Sequence, residues 1–297
     1  MSRYIYKFIS AIVLVLFFSC SPNDDNPPQE QPVTNPVTNN PDNSNDDSDN
    51  DNKDWELVWE DEFNGDLSDW NIWEGGAFNN EIQLYQKEQL TTNNGILTIS
   101  TKRENISGDT NPFDDTQKDF EYVSGRIETK VQYGPSDTNG EQNYRFMARI
   151  KLPKGFGMWP AFWSYADPWP TKGEIDVLEA RGNQQNKFQS NIFYGKNAGT
   201  ATSFANEKTY ANLPNLTDDF HIYELIWSKE SLRILFDGKQ VGIYIPNASN
   251  QINSFFGSKQ QIVLNNAVGG KFFPGTNSAN YTNNAIMQID WVRVYKK

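Results

Sequence analysis

The 297-residue chain has one cysteine, Cys20, and one histidine, His221. A disulfide within one chain is therefore impossible, and no His pair or Cys cluster has the spacing of a zinc site. Basic residues are scarce, with 26 Lys and Arg against 38 Asp and Glu and a formal net charge of −12. This balance argues against nucleic acid and anionic membrane surfaces as partners.

The amino-terminal residues contain a short apolar run, 8–18, after a basic start. It is too short to span a bilayer permanently, so residues 1–19 are predicted to be an export signal. Its end resembles a bacterial lipoprotein signal in which Cys20 is lipidated, although Phe17 stands where Leu is usual. The acidic residues at 23–25 resemble a surface-export signal of Bacteroidetes lipoproteins. We expect a protein that is lipid-anchored to the outer membrane, at the cell surface, with no other membrane contact.

Residues 20–53 consist almost entirely of Asn, Asp, Pro, Ser, Thr, Gln and Glu, which predicts a disordered tether. Residues 54–297 have the length of one all-β domain. Apolar and polar residues alternate in several short segments, and a hairpin with an Asp237-Gly238 turn is predicted at 232–245. The alternating segments are Gly95–Lys102 (Leu97, Ile99), Tyr144–Ile150 (Phe146, Ala148, Ile150), Ile222–Trp227 and Met287–Tyr295 (Ile289, Trp291). The pattern predicts an antiparallel sandwich or barrel.

Three carboxylates, Glu174, Asp176 and Glu179, occur within six residues and have apolar residues between them. Folding alone gives no reason to gather like charges. Crowded carboxylates push one another's pKa values apart, so that one stays ionised while another keeps its proton. Cleavage of a glycosidic bond by a pair of carboxylates requires this arrangement.

The geometry of this segment follows from strand parity. Glu174 and Asp176 share one face of a strand, while Ile175 and Val177 point to the other. Glu179 has the opposite parity, and one extra residue around Val177-Leu178 in a β-bulge would bring it to the face of the other two acids. The alternative is a solvated edge strand whose acids discourage aggregation. On spacing alone both interpretations stay open.

Aromatic residues are abundant, at 14% of the chain with nine Trp. Trp159, Trp163 and Trp169 crowd the approach to the acidic segment. Aromatic faces interleaved with carboxylates suit sugar rings, which have apolar C–H faces and hydroxyl edges. Some of the Trp side chains are expected to fill the core instead.

The segment 169–183 resembles the active-site strand of glycoside hydrolase family 16, in the subgroup whose two glutamates are five residues apart. Further matches cover essentially all of 54–297, in the order of the family. They are 55–59 with 61–63, 79–85, 124–127, 151–163, 220–223, 266–270 and 290–295. The resemblance implies a β-jelly-roll sandwich of two antiparallel sheets with a concave substrate cleft. It also implies a retaining, endo-acting glycosidase.

By the same resemblance, Glu174 is the nucleophile, Glu179 the general acid and base, and Asp176 a hydrogen-bonding partner of the nucleophile. A purely supporting role for Asp176 stays open. The resemblance also implies contacts with substrate. Trp159 and Trp163 are expected to stack at the non-reducing side, Asn80, Glu81 and Arg126 to bind hydroxyls there, and Trp169 to border the leaving group. Arg126 has an alternative role as an ordinary salt-bridge partner.

Within the family, the motifs near Asn80 and Val268 are most similar to laminarinases, which implies β-1,3-glucan as the substrate. Phe193 stands where these enzymes commonly carry His, so mixed-linkage glucan and agar- or porphyran-type galactan remain alternatives. A non-catalytic glycan-binding protein of the same fold is a further one. His221 is expected to serve the fold or the edge of the cleft rather than the chemistry.

No catalytic cofactor is expected. The positions of Glu62 and Asp290 match those that bind a structural Ca²⁺ in many relatives, and oxygen ligands suit this ion. We expect a monomer.

Overall fold

The computed structural model describes residues 54–135, 142–201, 206–228, 230–245 and 252–297. The predicted signal at 1–19, the tether at 20–53 and the lipidation site at Cys20 lie outside the described residues and stay predictions. Within the described part of the chain, no helix is long and apolar enough to cross a bilayer.

The described residues form seventeen strands, one turn of α-helix, α1 (Ile252–Phe255), and three 3-10 turns at Lys87–Gln89, Gly270–Phe272 and Ser278–Asn280. The strands are β1 (Glu56–Asp61), β2 (Trp70–Ile72), β3 (Gln83–Tyr85), β4 (Leu90–Asn93), β5 (Ile96–Asn111), β6 (Asp114–Ser124), β7 (Arg126–Thr129), β8 (Tyr144–Lys151), β9 (Met158–Tyr165), β10 (Glu174–Glu179), β11 (Phe188–Phe193), β12 (Lys208–Tyr210), β13 (His221–Trp227), β14 (Leu232–Phe236), β15 (Lys239–Tyr244), β16 (Gln261–Val268) and β17 (Asn284–Lys296).

The strands form two sheets. The ten-stranded sheet has the order β15-β14-β13-β8-β17-β5-β6-β3, with β1 on β17 and β4 on β5. The seven-stranded sheet has the order β12-β11-β10-β9-β16-β7-β2. The pairs are antiparallel except for β3 with β6. The predicted all-β sandwich is confirmed.

The main core lies between the two sheets and contains the inward residues of both. Leu97, Ile99 and Phe146 of the ten-stranded sheet are fully buried, as are Phe162 and Ile192 of the seven-stranded sheet. Burying one such side chain stabilises the fold by about 1.5–3 kcal/mol. The predicted alternation is therefore the pattern that builds the core.

The alternation prediction is wrong at one position, Trp291. A bulge in β17 shifts its register against β8 between Ile289 and Trp291. The core positions of β17 are therefore Ile289 and then Val292, not Trp291. Trp291 is instead covered by the Arg293 guanidinium, 4.3 Å from its ring centroid. One inserted residue exchanges the two faces of a strand.

The predicted hairpin is confirmed as β14 and β15. Its turn residues, Asp237 and Gly238, both have positive φ, at 46° and 75°. This is the backbone geometry that a tight two-residue hairpin turn requires.

A second hairpin, β5 with β6, is much longer than the alternating segment 95–102 suggests. Its outer arms are largely exposed and are joined by backbone pairing between Ser107–Asn111 and Asp114–Asp119. Since little of this part is buried, its sequence has no alternating apolar pattern from which the strands could be predicted. The hairpin tip lies next to the residues of the site described below.

Candidate active site

The acidic segment is β10, which lies in the interior of the seven-stranded sheet between β9 and β11. Against β9, Asp176 pairs with Trp163 and Leu178 pairs with Phe162, so Val177 is an extra residue. The register against β11 shifts in the same interval. The predicted β-bulge is present, and the edge-strand interpretation is wrong.

The bulge sorts the side chains of β10 between the two faces of the sheet. Ile175, Val177 and Leu178 are buried in the core. Glu174, Asp176 and Glu179 occupy the opposite face, which we call the open face. Asp176 is only 4% exposed, whereas the two glutamates are partly exposed. The backbone irregularity thus gathers three carboxyl groups at one surface.

Each glutamate accepts a hydrogen bond from an indole. Trp169 Nε1 donates to Glu174 Oε2 over 2.7 Å, and Trp159 Nε1 donates to Glu179 Oε1 over 2.9 Å. The Trp159 ring is held by parallel stacking on Phe272, with centroids 4.5 Å apart. These donors are neutral, so they orient the carboxyl groups without fixing a negative charge as a cation would.

The pKa values of all three carboxyls are raised. Burial, with a contribution from the charge of Glu179, raises the pKa of Glu174 to about 8, against the opposing effect of the Trp169 hydrogen bond. Burial, with the charge of Glu207, raises the pKa of Glu179 to about 7, against the opposing Trp159 hydrogen bond. Burial and the two glutamates raise the pKa of Asp176 well above its usual range. The cluster therefore retains protons at neutral pH.

A chain of hydrogen bonds extends across the open face from Trp163. Its Nε1 donates to Asn265 Oδ1 over 2.8 Å, and Asn265 Nδ2 donates to Tyr85 Oη over 3.1 Å. Glu81 Oε2 accepts from Gln83 Nε2 over 2.7 Å and from Tyr85 over 3.4 Å. Glu81 is 6% exposed, so these bonds hold it in place. Two of the predicted contact residues, Trp163 and Glu81, thus belong to one network.

Arg126 lies on the open face between two indole rings, with its guanidinium 3.9 Å from the Trp73 centroid and 4.9 Å from that of Trp163. It also forms an ion pair with Glu128, Nη2 to Oε1 at 2.5 Å. The salt-bridge interpretation of Arg126 is confirmed, and its position on the open face is compatible with a sugar contact as well. Tyr165 Oη donates to Glu128 Oε2 over 3.3 Å and completes the group.

A polar cavity of about 180 Å³ lies beside Glu179, on the β11 and β12 side of the acidic strand. Its wall consists of polar side chains together with Ala180 and Phe188. The polar residues are Glu179, Arg181, Gln184, Lys187, Gln189, Glu207 and Thr209. The open face therefore has a polar side near β11 and an aromatic side toward β9 and β7.

The other predicted residues are placed as follows. Asn80 is exposed in the loop that precedes β3, with φ of 57°. Phe193 lies on β11 directly opposite Glu174. His221 lies on β13 in the ten-stranded sheet, where Nδ1 is 2.8 Å from Asp237 Oδ2 and the ring stacks on Phe236. His221 thus lies in the sheet that does not contain β10.

The two predicted calcium ligands are both engaged by arginines. Glu62 pairs with Arg293, Oε1 to Nη2 at 2.7 Å, and Asp290 pairs with Arg149. Among the described residues, no group of three or more His, Cys, Asp or Glu is placed to hold a metal ion. The side chains alone therefore do not fit a calcium site, and calcium binding stays a prediction.

Several open-face residues were not predicted from the sequence, among them Glu128, Asn265 and Gln189. Glu128 follows Arg126 by two residues and so shares its face, which is a signal that the sequence offered. Asn265 and Gln189 lie on strands whose pairing with β9 and β10 only the structure reveals.

The chain was compared with known protein families, and residues 77–293 match the model of Glycosyl hydrolases family 16. Among curated proteins, a glucan endo-1,3-beta-glucosidase from Cryptopygus antarcticus is 34% identical over 74% of this chain and 83% of its own length. Glucan endo-1,3-beta-glucosidase A1 from Niallia circulans is 31% identical over 81% of this chain. The match spans only 38% of the length of that relative.

Among solved structures, an endo-beta-1,3-glucanase from Pyrococcus furiosus superimposes with a TM-score of 0.65. It is 28% identical, and the alignment covers 81% of this chain and 94% of that one. The two-sheet architecture of the described residues is thus shared with an enzyme of known structure.

Proposed function

The chain belongs to Glycosyl hydrolases family 16, and we propose that it is a retaining endo-glycosidase that hydrolyses β-1,3-glucan. The observation that carries the proposal is the bulged strand, which brings Glu174 and Glu179 to one face with a separate indole donor on each. The names of the two curated relatives support β-1,3-glucan as the substrate.

In the first step, Glu174 attacks the anomeric carbon and forms a glycosyl-enzyme while the bond to the leaving oxygen breaks. Trp169 binds Oε2 of Glu174, which leaves Oε1 for the attack. The indole hydrogen bond favours the ionised carboxylate and lowers its pKa. Retention requires the two carboxyls to be about 5–5.5 Å apart, a separation that a bulge permits and a regular strand does not.

Glu179 donates a proton to the leaving oxygen and afterwards removes one from the attacking water. A general acid must be protonated at working pH, and the raised pKa of Glu179, about 7, meets this requirement. Trp159 binds Oε1 and so leaves Oε2 to exchange the proton.

In the free protein, Glu174 and Glu179 titrate as a coupled pair that shares its negative charge. Bound substrate favours a different protonation state in each of the two glutamates. Positive charge develops at the anomeric carbon beside Glu174 and favours its ionised form, whereas the leaving oxygen beside Glu179 favours the protonated form.

Burial and the charges of the two glutamates raise the pKa of Asp176 well above its usual range, which favours its protonated form. A neutral Asp176 does not repel the charge on Glu174. Within the described residues its buried Oδ2 has no hydrogen-bond partner, so a negative charge there would have no donor to stabilise it. We assign Asp176 this proton-holding role.

The electrostatics of the open face favour a neutral polysaccharide over a sulfated galactan. Arg126 is neutralised by Glu128, and the cavity beside Glu179 has both signs of charge, with Arg181 and Lys187 facing Glu207. A polyanion would meet no excess of positive charge among these side chains.

The proposal is tested by the release of reducing ends from laminarin, with the anomer of the first product followed by NMR. We expect release with the β-anomer appearing first, and no release by Glu174→Gln. Binding of laminarin by the unmodified chain without release would support a non-catalytic glycan-binding protein instead. An α-anomer as first product would exclude the double displacement.

The substrate is tested with a panel of laminarin, curdlan, lichenan and agarose. We expect laminarin and curdlan to be cut faster than lichenan, and agarose to be left intact. Cleavage of agarose alone would overturn the β-1,3-glucan assignment and leave the carboxylate mechanism standing. Phe193, which lies on β11 directly opposite Glu174, is the first position to examine in that case.

We also propose that the chain is exported and lipid-anchored through Cys20, on the support of its sequence at 1–20. Labelling of cells with a radioactive fatty acid is expected to mark the wild-type protein and not a Cys20→Ala variant. Equal labelling of both proteins would contradict the anchor.

A further inference from the structure

Two phenylalanine side chains near the open face are unusually exposed, Phe113 at 78% and Phe78 at 62%. Phe113 lies at the tip of the β5–β6 hairpin, and Phe78 lies in the loop 74–81 that precedes β3. Side chains that remain this exposed bury little apolar area and contribute little to folding. Their position therefore calls for another explanation.

Both rings meet the same indole. Phe113 and Phe78 contact Trp73 edge-on, with centroids 5.6 Å and 6.2 Å from it at interplanar angles of 86° and 75°. Trp73 itself is 7% exposed. We call Phe78, Phe113 and Trp73 the aromatic platform. Both phenylalanine rings therefore contact one indole while most of their surface stays open to solvent, where it can contact the apolar C–H face of a sugar.

The platform is continuous with the candidate active site. Trp73 stacks on the Arg126 guanidinium, which stacks in turn on Trp163, and Trp163 pairs with Asp176 in the register of β9 and β10. The line runs across the strands from β10 through β9, β16 and β7 to β2, after which Trp73 follows. Four strand spacings separate β10 from β2, or about 19 Å. A polysaccharide lying along the open face needs several sugar residues to cover that distance.

The platform is held in a defined geometry. Gly76 N donates to Asp109 O over 2.8 Å and ties the loop to the hairpin. A Cβ at Gly76 would lie 2.5 Å from Thr110 O and 2.6 Å from the Phe120 ring, so the loop and the hairpin approach as closely as a glycine allows. At the tip, Phe113 N donates to Asn111 Oδ1 over 2.9 Å. The two phenylalanines are thus presented by bonded segments.

Polar groups accompany the rings as a sugar site requires. Asn79 and Asn80 are exposed directly after Phe78, and their amides can both donate and accept hydrogen bonds with hydroxyls. Small-molecule and glycan sites typically combine aromatic faces with a few such polar groups.

We propose that the aromatic platform is a remote sugar-binding subsite, which holds the β-glucan chain several residues from the bond that is cut. The occupant is the distal part of the same polysaccharide that occupies the open face at β10. This inference rests on the proposed function, and it implies that longer chains are the better substrates.

The test compares two linear β-1,3-gluco-oligosaccharides, of three and of six glucose units, as substrates of the full chain. A double variant, Phe78→Ala with Phe113→Ala, is expected to lower kcat/KM for the hexasaccharide about tenfold, since two aromatic contacts are lost. The trisaccharide is too short to reach the platform from the cleavage site, so its kcat/KM should not change.

Two further variants control for indirect effects. Ile286→Ala removes a side chain that is 53% exposed on the ten-stranded sheet, and it should leave both substrates unaffected. The single variant Phe113→Tyr, with Phe78 unchanged, retains the aromatic ring. Its kcat/KM for the hexasaccharide and for the trisaccharide should equal those of the wild type.

An equal loss for both oligosaccharides, or no loss for the hexasaccharide, would overturn the subsite. A different result would contradict the proposed function itself. If the wild-type chain cleaved neither laminarin nor the two oligosaccharides, both the proposed function and the subsite would be wrong. A wild-type enzyme that cuts both oligosaccharides with no effect of the double variant would refute the platform alone.

Discussion

Buried carboxyls have two kinds of partner in this fold. Glu224 in the ten-stranded sheet and Glu128 in the seven-stranded sheet are paired with arginines, whereas Glu174 and Glu179 accept hydrogen bonds from indoles. In the ten-stranded sheet, Glu224 is fully buried on β13 and accepts two hydrogen bonds from Arg145, Nε to Oε1 at 2.7 Å and Nη2 to Oε2 at 3.0 Å. In the seven-stranded sheet, Glu174 and Glu179 accept from neutral indoles, and Asp176 lies between them.

The difference separates structural acids from chemical ones. A carboxylate paired with two donors of a guanidinium has a fixed charge and a fixed position. A carboxyl held by an indole keeps its position while its protonation state is free to change. The seven-stranded sheet therefore carries acids whose pKa values are raised into the range where proton transfer is useful.

The largest effect is expected on breaking the chemical pair. Glu174→Gln should lower kcat on laminarin at least about 10³-fold, because the amide cannot form the glycosyl-enzyme. Glu179→Gln should lower it about 10²–10⁴-fold on laminarin, yet much less on an aryl β-glucoside oligomer, whose leaving group needs no acid. An equal loss for Glu179→Gln on both substrates would contradict the role of Glu179 as the acid.

Breaking the structural pair is expected to affect stability instead. Glu224→Gln leaves Arg145 without its bidentate carboxylate and should cost about 3–5 kcal/mol in the free energy of unfolding. Asp176→Asn, a matched change of a buried acid in the other sheet, should cost far less, since burial raises the pKa of Asp176 and favours its neutral form. Urea denaturation of both variants checks this contrast, and a larger loss for Asp176→Asn would reverse it.

The pH dependence of stability sharpens the same contrast. The folded pKa values of Glu174 and Glu179, about 8 and about 7, lie above the ordinary value of 4.5. The folded state thus binds more protons than the unfolded state between those values, and the contribution of the pair to stability falls as pH rises from about 5 to 8. Glu174→Gln removes part of this penalty and should be more stable than wild type at pH 8 by about 1–2 kcal/mol, with the two proteins alike at pH 5. Urea titrations at both pH values measure it. A variant less stable than wild type at pH 8 would contradict the raised pKa of Glu174.

The smallest effects are expected from the indole donors. Trp169→Phe removes a hydrogen bond that lowers the pKa of Glu174, so the acidic limb of the kcat/KM profile should move to higher pH. Trp159→Phe removes the corresponding bond to Glu179, so the alkaline limb should move to higher pH. Each change should also lower kcat/KM about tenfold through looser positioning. Loss of activity without movement of either limb would mean that the indoles only fill space.

Strand parity and charge crowding were enough to predict the acidic face and its bulge, because both follow from residues adjacent in sequence. The same parity failed at Trp291, where a bulge in β17 shifts the register after the fully buried Ile289. A signal was present in the sequence, since Val292, Arg293 and Val294 reverse the order of apolar and charged residues.

The parts of the site that escaped prediction depend on pairing between distant strands. Arg126 meets Trp73 and Trp163 because β2, β7 and β9 lie in one sheet. The β5–β6 hairpin escaped because its exposed arms are held by backbone hydrogen bonds, which leave no hydrophobic pattern in the sequence. Phe113 consequently gave no signal before the structure placed it against Trp73.

The most direct test of the account is to trap the covalent intermediate. A 2-fluoro β-1,3-glucosyl oligomer with a fluoride leaving group should react without Glu179, because fluoride departs unprotonated, and the 2-fluoro group should slow hydrolysis of the product. Peptide mass spectrometry should then find the sugar on Glu174. A label on Asp176 or Glu179, or a chain that turns over the reagent and never carries it, would contradict the central claim that the bulge sets Glu174 as nucleophile opposite Glu179.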